Sequence, residues 1–108
     1  MSKTTYIQLA PIALKPGVSE TQLLQASDMF DKAFVKKQDG IIRRHLLRAK
    51  TGGYADLVFF ESKQAADKVR ENEMSSPNCA AFFSIMEVPD ETAVDMGVLS
   101  FEPIKTYE

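Results

Sequence analysis

The feature that most constrains this chain is a run of four consecutive apolar residues, Leu57-Val58-Phe59-Phe60, inside the stretch GIIRRHLLRAKTGGYADLVFFES. Glycines 52 and 53 supply the positive-φ positions of a tight turn, so the stretch reads as a β-hairpin. Its strands cover about residues 41–50 and 54–61, with Thr51-Gly52-Gly53 between them. Successive strand side chains point to opposite faces. A strand on a one-sided sheet therefore alternates apolar with polar residues. This one does not, so both faces of its sheet require cover.

The flanking elements say how much cover the chain supplies. Residues 4–14, TTYIQLAPIAL, read as a first strand in which Pro11 marks a bulge or the strand's end, because proline brings no N–H to a ladder. Ser19 with Gln22 forms a capping box. The helix it opens spans about residues 20–37, with Leu23, Ala26, Phe30, Ala33 and Phe34 on one stripe. Such an aromatic stripe is far more often core than a cofactor box. Lys36 and Lys37 suit the negative end of the helix dipole, and Asp39-Gly40 closes it.

After the hairpin, Ser62 caps a second helix, KQAADKVRENEM, with Ala65, Ala66 and Val69 inward. Its apolar face is thin. Ser76-Pro77 restarts the helix, and Cys79, Phe82, Phe83 and Met86 follow at i, i+3, i+4 and i+7. EVPDETAVDMG is a polar connection, and VLSFEPIKTY is a last strand in which Pro103 marks an edge or a departure from the sheet.

The order β-α-β-β-α-β is the ferredoxin-like arrangement, an α+β fold with a four-stranded antiparallel sheet. Residues 1–108 form one domain by length. Both helices fall on one face of such a sheet, and the other face is left for a second copy of the chain. A domain this small buries only about 60–70% of its unfolded surface, so a subunit contact would add stability.

Composition excludes several classes of function. The formal charge is −2 and no basic run exceeds two residues, so nothing directs the chain to nucleic acid or to an anionic membrane. One cysteine and one histidine leave no zinc pattern and no intrachain disulfide. No apolar run approaches about 18 residues, and the N-terminus lacks a signal-peptide core. A cytoplasmic location is the expectation. No nucleophile elbow, phosphate loop or metal motif is present.

The element order, the broken second helix with SSPNCAAFFSIM, and the trailing strand resemble the dimeric α/β-barrel superfamily, which includes antibiotic-biosynthesis-monooxygenase-like and stress-responsive barrel proteins. The similarity covers nearly the whole chain. It implies a homodimer whose two sheets close into a barrel, and a ligand cleft between a protomer's sheet and its helices. Haem-degrading members use a histidine on the second helix and a nearby tryptophan. This chain has neither, so haem degradation is set aside. Cofactor-independent monooxygenases of the group act on activated phenolic substrates.

Site residues follow from the hairpin register. With an even-numbered loop, Arg43, His45, Leu47 and Ala49 share a face with Tyr54, Asp56, Val58 and Phe60. A three-residue loop reverses the match and scatters the cluster. In the even register His45, oriented by Asp56, is the candidate catalytic group. Tyr54, Arg43, Phe60 and Phe83 are then candidate substrate contacts, and no metal or cofactor is assigned. Two readings stand: a small homodimeric enzyme acting on a phenolic or quinone-like molecule, and a non-catalytic ligand-binding or interaction module. A single strand histidine is more often structural, and Cys79 more often packing than a reactive thiol.

Overall fold

A computed structural model of the chain describes residues 4–87 and 97–107. The strands are β1 (Tyr6–Ile12), β2 (Ile41–Arg48), β3 (Tyr54–Phe60) and β4 (Leu99–Phe101), and the helices are α1 (Glu20–Ala33), α2 (Lys63–Met74) and α3 (Pro77–Phe83). They form one antiparallel sheet in the order β2-β3-β1-β4, the ferredoxin-like order anticipated from the sequence.

Local chemistry accounts for the element ends. The Ser19 hydroxyl accepts from the Gln22 N–H at 3.2 Å, and the Ser19 N–H donates to Gln22 Oε1 at 2.8 Å, completing the capping box. Ser62 Oγ accepts from the Ala65 N–H at 3.0 Å, and Pro77 opens α3 behind Ser76. The helix expected over residues 20–37 is shorter. It breaks at Phe34 and ends in a 3₁₀ turn, Val35–Lys37. The tighter winding is common at helix ends, and here it leaves both Phe34 and Val35 buried.

Pro11 makes no bulge. It stays in register opposite Ala55, beyond the Ile7–Leu9 segment that pairs with β4, and the strand ends one residue later. The last strand is much shorter than expected, because the chain leaves the sheet after Phe101, two residues before Pro103. Most of the polar connection falls at residues 88–96, outside the described residues.

The core lies between one sheet face and the helices. Leu23, Phe30, Phe34, Ile12, Phe60, Val69, Cys79 and Phe82 are all buried there. Phe30 stacks on Phe34 at 5.5 Å and on Phe82 at 4.4 Å between ring centroids. Gly40, with φ +91°, turns the chain into β2 so closely against α2 that a Cβ there would lie 2.5 Å from Ala65 Cβ. On the opposite sheet face stand Ile7, Leu9, Leu57 and Phe59, with Leu47, Leu99 and Phe101 exposed beside them. The residues described place no helix over that face, so the cover that the Leu57–Phe60 run calls for is not supplied by them.

Candidate active site

The hairpin loop decides which side chains meet. The Ala49 N–H donates to Gly53 O at 3.0 Å, and the Gly52 N–H closes a turn onto Ala49 O at 3.1 Å. Lys50, Thr51 and Gly52 are therefore the loop, with Gly52 and Gly53 both at positive φ. This is a three-residue loop. Arg44 stands opposite Val58, Leu46 opposite Asp56, and Arg48 opposite Tyr54.

The expected cluster is thereby corrected. His45 and Arg43 project from the face away from the helices, opposite Leu57 and Phe59, and both are exposed. His45 meets Phe59 edge-on at 5.9 Å. Asp56 and Tyr54 point to the helix side. The odd loop separates His45 from Asp56 by the thickness of the sheet, because side-chain direction alternates with every residue. Tyr54 shares the face of Asp56 but lies at the sheet's end beside Glu20 and Arg48; burial, and then Glu20, push its phenol up from the ordinary value. Of the expected contacts, Phe60 and Phe83 line the same cavity as Asp56, whereas Tyr54 does not.

That cavity, of about 290 Å³, lies between the helix-covered sheet face and the helices. Gln8 and Ala10 of β1, with Val58 and Phe60 of β3, form its floor. Phe30 of α1, Val69 of α2 and Phe82 of α3 close it from above. Its walls are mostly apolar, so the few polar groups set its chemistry.

The first of these is an ion pair that takes Arg44 in place of His45. Arg44 Nη2 donates to Asp56 Oδ2 at 3.1 Å and to Ser27 Oγ at 2.9 Å, and Nη1 lies 3.7 Å from Asp31 Oδ1. Both side chains of the pair are about nine-tenths buried. The guanidinium also sits over Phe30 and Phe82, at 5.0 and 5.5 Å from their centroids. Asp56 Oδ1 is equally 3.1 Å from Nη2, yet it accepts no hydrogen bond, and Arg44 Nε is likewise without a partner among the described residues. Burial pushes the Asp56 carboxyl above its ordinary value; the charge and hydrogen bond of Arg44 oppose the rise and Asp31 adds to it.

The second is Glu73, on the cavity side of α2 and half-buried. Its carboxyl is pushed up to about 7, first by burial and further by Asp56, against the pull of Arg70 on the same helix. Cys79 on α3 is fully buried nearby, and its thiol is raised by burial and by Glu73. Sequence reasoning missed both Arg44 and Glu73. The signal for Glu73 was present: Ala66, Val69 and Glu73, at i, i+3 and i+7, share one helical stripe. Among the described residues no three His, Cys, Asp or Glu side chains gather as metal ligands would, and no helix is long and apolar enough to cross a membrane.

This arrangement of a four-stranded sheet under its helices recurs in solved structures. The fold is ferredoxin-like, and solved structures provisionally assigned as antibiotic biosynthesis monooxygenases share it. A provisionally assigned antibiotic biosynthesis monooxygenase from Bordetella bronchiseptica superposes with a TM-score of 0.70, at 14% identity over 97% of this chain and 100% of the other. SnoaB, a cofactor-independent oxygenase from Streptomyces nogalater solved as a point mutant, gives a TM-score of 0.65 at 14% identity over 96% and 97%. Rv0793 from Mycobacterium tuberculosis gives 0.65 at 16% identity over 97% and 100%. No family model matches the sequence, and no curated protein does either. At these identities the likeness is one of fold.

Proposed function

We propose that this protein is a small homodimeric enzyme that binds a phenolic or quinone-like molecule in the sheet–helix cavity and acts on it without a bound cofactor. The observation that carries the reading is the buried Arg44–Asp56 pair inside a chamber of about 290 Å³ whose walls are aromatic and aliphatic. Stacked Phe30 and Phe82 suit a flat ring system, and the buried guanidinium gives it a fixed positive charge to orient against. The likeness in fold to a cofactor-independent oxygenase supports this class of chemistry.

The dimer is part of the proposal. Ile7, Leu9, Leu57 and Phe59 form an apolar sheet face, and exposed Leu99 and Phe101 extend it. A second copy of the same face would cover it, the two-fold being self-complementary. Arg43 and His45 would then lie at this subunit contact.

A thermal-shift screen of hydroxylated naphthalenes, naphthoquinones and anthraquinones tests the reading, with dioxygen uptake followed for every binder. Ligands should stabilise the protein, and Val58→Trp, which fills the cavity floor, should abolish the shift. Binding without turnover across the panel would favour the ligand-binding module instead. No binding, or binding indifferent to Val58→Trp, would remove the cavity from the account.

A further inference from the structure

We propose that Glu73 is the catalytic base of this cavity, and that its carboxylate takes a proton from an enolisable aromatic ketone or the corresponding phenol. The inference rests on the cavity being the ligand site, and it adds which residue moves the proton and which acidic group it acts upon.

Geometry separates Glu73 from the other carboxylates. Asp56 is engaged by Arg44 at 3.1 Å, and Asp31 stands behind the same guanidinium at 3.7 Å. Glu87 also lines the chamber but is exposed. Glu73 is half-buried and lines the chamber, and its carboxyl forms no hydrogen bond among the described residues. A carboxylate withheld from water and without a donor is a stronger base than a solvated one.

The groups around it define when it works. Arg70 of its own helix pulls its titration down, Asp56 of β3 pushes it up, and the Cys79 thiol of α3 adjoins it. Arg44 of β2 lines the same chamber. The balance puts the carboxyl at about 7, where a general base is half-ionised at neutrality and still basic enough to accept a proton.

The step balances without any other reactant. The ligand's C–H or O–H bond breaks and its electron pair stays on the ligand as enolate or phenolate. An O–H bond forms on Glu73, which becomes neutral. The anion's new charge then lies in the same chamber as the Arg44 guanidinium. Reversal with a solvent deuteron exchanges the ligand's hydrogen, so the step is visible without oxidation.

The test uses the full-length protein with β-tetralone in deuterium oxide, following loss of the α-proton signal by NMR. The wild-type protein should accelerate exchange, with a rate that rises through about pH 7 as Glu73 ionises and then levels. Glu73→Gln should lose about 100-fold or more of the acceleration, and Glu73→Asp should keep part of it. Arg70→Gln should move the inflection to higher pH, because Arg70 lowers the Glu73 titration. A merely structural Glu73 would not tie the inflection to Arg70. Exchange by Glu73→Gln at the wild-type rate, with β-tetralone binding still abolished by Val58→Trp, would overturn the base while leaving the cavity standing. Absence of β-tetralone binding to the wild-type protein, or binding that Val58→Trp leaves intact, would overturn the cavity reading, and the base with it.

Discussion

Replacing Arg44 with methionine probes the buried pair directly. Methionine keeps much of the stem's volume but leaves the Asp56 carboxylate, which is 7% exposed, without its cation. Breaking a buried pair by removing one partner costs about 3–5 kcal/mol. Part of that is independent of pH: the contacts of the guanidinium with Phe30 and Phe82 contribute about 1–2 kcal/mol, and the bond to Ser27 contributes about 1 kcal/mol. The remainder belongs to ionised Asp56. In the parent protein Asp56 already titrates above its ordinary value because burial outweighs Arg44. An acid whose folded pKa is raised loses stability as pH rises from the unfolded value through the folded one. Removing Arg44, which pulls the value down, raises it further, so the variant loses more over that rise than the parent does. Urea denaturation of parent and variant, compared at about pH 7 and about pH 5, should therefore give the larger difference at the higher pH. Glu73 adds its own loss of stability as pH rises, in parent and variant alike, which is why the comparison is made at each pH. Arg44→Met combined with Asp56→Leu should recover most of the loss. Equal differences at both pH values, or a double variant no more stable than the single one, would refute the reasoning.

Three further outcomes follow from the same structure. Glu73, raised from 4.5 to about 7, should make the protein lose stability between those values and level off above them. The loss is on the order of 3 kcal/mol, and denaturant titrations of Glu73→Gln should show it flattened. Gly40→Ala combines a positive φ with a Cβ 2.5 Å from Ala65, so it should cost about 2–4 kcal/mol and lower the melting temperature by roughly 10 °C or more. Light scattering should give about twice the 12.1 kDa chain mass, and Phe59→Glu on the uncovered sheet face should reduce it to one chain. A parent protein that is monomeric at micromolar concentration would contradict the proposed barrel.

The sequence by itself determined the order of elements, and through it the sheet. Capping at Ser19 and Ser62 is satisfied by backbone atoms three residues away, and Pro77 suits a first helical position by its own geometry. The unbroken apolar Leu57–Phe60 run marks a strand with two apolar faces. The composition of the site was not legible in the same way. Gly52 and Gly53 both take positive φ, so either could have stood inside the turn, and one residue of loop length turns every side chain of β2 to the other face. Only the closed hairpin showed that Arg44, and neither Arg43 nor His45, shares a chamber with Asp56. What favours that arrangement is tertiary: Ser27, Asp31, Phe30 and Phe82, from two helices, surround a guanidinium that would otherwise be costly to bury. Glu73 was ambiguous for a related reason. A glutamate on a thinly apolar helix looks solvated in sequence, and it becomes a desolvated acid only when sheet and helices fold over it.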